Sequence, residues 1–79
     1  MTFPTALSQA LRDLGVKTHH EAAGLLGLHV ATWSRNRSGG SSPTTATMAK
    51  WLRKLHDAGY PLRATWTVET GWVVTEVTL

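Results

Sequence analysis

Apolar residues recur at the spacing of a helix face through the first two thirds of the chain, and with the alternation of a strand through the last third. Leu7, Leu11 and Leu14 share one face of a first helix over 4–14. Pro4 suits its opening turn, and Gly15 ends it in a left-handed conformation. Thr18-His19-His20-Glu21 opens a second helix over 19–26 as a capping box. In that motif the Thr18 hydroxyl takes the Glu21 amide, and the Glu21 carboxylate returns to the Thr18 amide. Ala22, Ala23, Leu25 and Leu26 follow before Gly27 interrupts the pattern. A third helix over 30–37 has Trp33 as its inward anchor and Gly39 beyond its end. Thr44 or Thr45 caps a fourth over 45–58, where Met48, Trp51, Leu52 and Leu55 fall at i, i+3, i+4 and i+7. Gly59 and Pro61 stop it.

After Pro61 the period drops to two. Two runs rich in β-branched and aromatic residues, 62–69 and 72–79, flank Thr70-Gly71 and predict a β-hairpin. A two-residue turn pairs Val68 with Val73, Trp66 with Thr75, Ala64 with Val77 and Leu62 with Leu79 on a largely apolar face. It places Trp72 and Val74 on the mostly polar face, among Arg63, Thr65, Thr67, Glu69, Glu76 and Thr78. The expected fold class is α+β: one domain over 1–79, with four helices followed by a C-terminal antiparallel hairpin.

With 79 residues, 42% of them apolar and 16% charged, the chain holds one small domain rather than a disordered tail. It has no cysteine, hence no disulfide framework and no thiolate metal site. Its longest stretch without a strongly polar residue, Ala22 to Leu28, falls far short of the ~20 apolar residues of a membrane helix. The start MTFPTALSQALRDLG lacks the basic and apolar regions of an export signal, so a cytoplasmic location is expected.

The net charge of +3 matters less than its placement. Arg35, Arg37, Lys50, Arg53 and Lys54 give the stretch from Leu28 to Lys54 a charge of +5 with no acid. The remaining three bases and five acids leave −2 elsewhere. A single-sign stretch of this kind suits a polyanion, most simply nucleic acid; a solvated helix face is the other reading. Arg53 and Lys54 fit the solvated description.

Catalysis finds no support. The acids are scattered, no Ser/His/Asp set is evident, and Gly39-Gly40 follows a helix rather than a strand. No cofactor is expected. Nor is a metal: His19 and His20 point about 100° apart on a helix, with no second ligand pair one turn away. Trp33, Trp51 and Trp66 lie on apolar stripes and read as core. Trp72 is the exception, a candidate for a protein interface or for packing against Phe3.

The second and third helices, joined through Gly27, describe a helix-turn-helix. Ala23 is small enough for close approach, Gly27 can take the positive φ of a tight turn, and Leu26, Leu28 and Trp33 fill the angle. That leaves Val30, Ala31, Ser34 and Arg35 facing outward. The stretch from Thr18 to Leu55 resembles the Cro/CI-type family of phage and bacterial repressors. The resemblance rests on EAAGLLGL (Glu21 to Leu28), TWSRNRSG (Thr32 to Gly39), Pro43 and WLRKL (Trp51 to Leu55), about half the chain. Two positions depart from the family pattern: Asn36 where an apolar residue is usual, and His29 where Ser or Thr commonly caps the helix. The C-terminal hairpin is similar to that of the Cro branch, whose members can dimerise through β-strands.

The resemblance implies that Val30, Ala31, Ser34 and Arg35 face the major groove. There an Arg can make two bonds to guanine, and small apolar side chains can touch thymine methyls. It also implies phosphate contacts from Thr18 and His19, from His29, and from Ser41, Ser42 and Thr44; charge adds Arg37 and Lys50. The expected function is sequence-specific binding of double-stranded DNA as a homodimeric transcriptional repressor reading an inverted repeat. Trp66, Trp72, Val74 and Val77 of the hairpin are the expected dimer interface, with the fourth helix as the other candidate. A competing expectation is a protein-binding module on the same scaffold, such as a phage inhibitor of a host protein or an antitoxin.

Overall fold

The computed structural model of the chain describes residues 2–39 and 43–77. It has α1 (Phe3–Asp13), α2 (His19–Leu26), α3 (Val30–Arg37), α4 (Thr45–Asp57), β1 (Leu62–Thr67) and β2 (Gly71–Glu76), the expected order of four helices and an antiparallel hairpin. Local chemistry sets the helix ends. Thr18 Oγ1 accepts from the Glu21 amide at 3.1 Å and Thr44 Oγ1 from the Thr47 amide at 3.2 Å, each satisfying a donor that has no partner within its helix. The capping box at Thr18 is half built, because the exposed Glu21 carboxylate makes no return bond among the described residues.

Gly27 closes α2 at φ +72°, and its amide caps back onto the helix. A side chain there would meet the end of Lys54, a flexible group free to swing aside. Conformation rather than space is therefore what demands glycine at this turn.

The core is tied together by a run of rings. Trp33 of α3 meets Trp51 of α4 edge-on, with centroids 5.9 Å apart. Trp51 stacks with Phe3 of α1 at 6.3 Å, and Phe3 takes the edge of Trp72 of β2 at 5.5 Å. Four elements that are distant in sequence are thereby joined through one continuous apolar contact, each pair adding about 0.5–1.5 kcal/mol beyond its area burial. Leu7, Leu11, Leu26 and Leu55 fill the space around it and are fully buried. Among the described residues, no helix is long and apolar enough to cross a membrane.

The hairpin corrects the expected register. Thr67 pairs with Gly71, Trp66 with Trp72, Ala64 with Val74 and Leu62 with Glu76, around a three-residue loop, Val68 to Thr70. The Thr67 hydroxyl accepts from the Thr70 amide at 3.2 Å, and Gly71 takes φ +70°, the arrangement suited to a longer turn ending in a left-handed residue. Adding one loop residue changes which β2 side chains share a face with β1. Trp72 and Val74 thus join Leu62 and Ala64 against the core instead of lying on the polar face. Trp66, expected in the core, is 58% exposed. The expected pairing of Leu62 with Leu79 is replaced by Leu62 with Glu76, and Thr78 and Leu79 lie outside the described residues.

Candidate nucleic-acid interface

The position of α3 follows from one residue. Trp33 is 0% exposed, and a helix turns about 100° per residue, so the side opposite Trp33 carries Ala31 and Arg35, with Ser34 at its flank. All three are exposed. The Arg35 guanidinium makes no ion pair among the described residues. Its carbonyl takes the Ser38 hydroxyl at 3.1 Å, which helps close the last turn.

Val30 behaves differently from the expectation that set it outward. It sits at the first turn on the Trp33 side and is half-buried against the core.

The two departures from the repressor pattern have structural explanations. Asn36 is 8% exposed, and its side-chain amide donates to the Thr32 carbonyl at 2.9 Å. A buried polar side chain bonded in this way avoids the cost of an unmet donor. His29 replaces the usual hydroxyl cap: its Nδ1 accepts from the Ala31 amide at 3.3 Å. A ring accepting at Nδ1 in its neutral form carries its proton on Nε2, which leaves an exposed donor at the entrance to α3. His29→Ala is expected to cost about 0.5–1 kcal/mol, the lower part of the range for lost helix caps, since the bond is long and exposed. A urea-unfolding midpoint unchanged by this substitution would show that the cap contributes nothing.

Of the residues expected at phosphates, Thr18, His29, Thr44 and Lys50 are exposed, while His19 and Arg37 are half-buried. Ser41 and Ser42 lie outside the described residues. Thr18 and Thr44 serve as helix caps through their hydroxyl oxygens. The Thr44 hydroxyl proton is already given to the Thr47 hydroxyl at 3.0 Å, so Thr18 is the better placed of the two to donate outward. Thr18, His19 and His20 begin α2, where the amides of His19 and His20 have no partner within the helix.

Four residues of α1 that pattern reading left aside belong beside these. Thr5, Ser8, Gln9 and Arg12 line a polar cleft of about 270 Å³ together with Arg37 from the end of α3. They fall at i, i+3, i+4 and i+7, a regular polar stripe. The Thr5 hydroxyl donates to the Arg37 carbonyl at 3.4 Å, bridging the two helices. Partial burial holds the His19 ring below the ordinary histidine range, and the positive fields of Arg37 and then Arg12 lower it further. The neutral ring is thus favoured in the fold. Acidification below the ordinary histidine value charges it against two guanidiniums and weakens stability.

The hairpin residues expected at a dimer interface divide. Trp72 and Val74 are half-buried and pack within their own chain, Trp72 on Phe3. Val77 is half-buried, and its amide donates to the Pro61 carbonyl at 2.8 Å. Trp66 remains exposed, together with Val68 in the loop at 79% and Val73 of β2.

Comparison of the chain with protein-family models, with curated proteins and with solved structures finds no match.

Proposed function

We propose that this protein binds double-stranded DNA in a sequence-dependent manner as a dimer and acts as a transcriptional repressor. The observation that carries the reading is the attitude of α3. Its one large apolar residue is sunk in the core, while Ala31, Ser34 and Arg35 stand exposed on a stretch that holds five cations and no acid. A short helix presented in this way has the dimensions and donors to enter a major groove. The caps at Thr18 and His29, with the exposed Lys50 of α4, supply donors for flanking phosphates.

Size supports a dimer. The longest extent of the Cα trace is 31 Å, less than the ~34–36 Å that separates successive major-groove half-sites, so one copy reads one half-site. Trp66 and Val68 at the hairpin tip offer the surface for a second copy. These same two exposed apolar residues favour the second reading, a module that docks on a partner protein.

Selection from a pool of random duplexes, followed by footprinting, tests the first reading. The expected result is an inverted repeat with half-sites about one helical turn apart, and an affinity whose logarithm falls linearly with the logarithm of salt concentration. No retention of duplex even at low salt would overturn it.

A further inference from the structure

We infer that the cleft between α1 and the end of α3 is a binding site for a phosphate group, held between the guanidiniums of Arg12 and Arg37. Two cations from helices 25 positions apart in sequence line one small hollow, with the Ser8 hydroxyl and the Gln9 amide as further donors. Among the described residues neither guanidinium has a carboxylate partner. Like charges brought together without a counter-charge oppose folding, and a bound anion reverses that penalty. Arg37 is held in place rather than waving free. It is half-buried, its carbonyl takes the Thr5 hydroxyl, and its Nε is shielded from solvent without an acceptor.

The chemistry of the lining selects the class of ligand. Guanidinium forks and a hydroxyl converging from two helices suit the several oxygens of a tetrahedral oxyanion. At about 270 Å³ the cleft lies below the ~300–1,000 Å³ of sites for drug-sized molecules, so it takes one phosphate group rather than a whole nucleotide. His19 reports on occupancy. It lies in the field of both arginines, and a dianion between them opposes that field.

The phosphate can come from the duplex backbone, a source that rests on the DNA-binding reading above, or from a free phosphorylated small molecule. Both arms of the test use the full chain. In the first, inorganic phosphate is titrated near neutral pH while the His19 ring resonances are followed by NMR, with sodium chloride and acetate at matched ionic strength as comparators. The expected result is a saturable shift with phosphate alone, accompanied by a rise in the His19 titration midpoint. Arg12→Gln should weaken it about tenfold or more, and Ser8→Ala, which leaves the charge untouched, by a smaller factor. Arg12 is exposed, and circular dichroism checks that the variant stays folded.

In the second arm, the salt dependence of binding to a duplex of random sequence is compared for wild type and Arg12→Gln. A slope reduced by about one identifies the backbone as the source, whereas an unchanged slope beside a saturable phosphate shift identifies a free phosphorylated ligand. Phosphate binding without any duplex binding keeps the site and removes the DNA reading. Duplex binding with an unchanged slope, and a response to phosphate no different from that to chloride, overturns the site and leaves the DNA reading standing.

Discussion

Trp33→Ala is expected to remove about 3–5 kcal/mol of stability, the cost of deleting a fully buried tryptophan from a core that cannot collapse around the gap. A chain of this length holds roughly 4–12 kcal/mol in total, at ~0.05–0.15 kcal/mol per residue, so the variant sits at or near the edge of folding. The loss reaches beyond α3, because Trp33 is the first ring of the run through Trp51 and Phe3 to Trp72. Trp33→Phe provides the contrast. It keeps a ring against Trp51 and deletes an indole N–H that is buried without an acceptor, a group whose unmet hydrogen bond costs about 1–3 kcal/mol. Urea unfolding of both variants should therefore place Trp33→Phe well above Trp33→Ala. Equal midpoints would mean that the ring run does not hold the helices together.

Arg35→Ala is expected to leave the fold intact and to cost about 1–3 kcal/mol in binding to a selected duplex, roughly 5- to 150-fold in affinity. Arg35 is exposed and makes no ion pair among the described residues, so its removal breaks nothing inside the protein. The diagnostic is where the loss falls. A base contact relaxes preference at one base pair of each half-site, whereas a phosphate contact weakens all duplexes alike and lowers the salt slope by about one. Measured on single-position variants of the selected site, a uniform loss would demote Arg35 from reading a base to holding the backbone.

Much of the helical frame could be read from the chain because each helix carries its own punctuation. The caps at Thr18 and Thr44, the left-handed Gly27 and the i, i+3, i+4, i+7 stripe of α4 act within a turn or two of backbone. The polar stripe Thr5, Ser8, Gln9, Arg12 was equally visible. Its meaning was not, since a solvated face and half of a cleft share one pattern until Arg37 arrives from α3. His29 shows the same limit on a smaller scale: an imidazole caps a helix only when its ring turns back on the amide two residues ahead.

Local pattern along the chain was enough to tell which segments are helical, where they stop, that a hairpin follows, and that Trp33 faces inward. Hydrogen bonds between near neighbours and the 3.6-residue period decide those matters locally. Tertiary structure decided the strand register, and with it the fates of Trp66 and Trp72, because alternation along two strands permits more than one pairing. Packing of β2 against α1 through Phe3 and Trp72 chose between them. It also decided that two arginines from separate helices share one hollow, a juxtaposition that no local rule encodes.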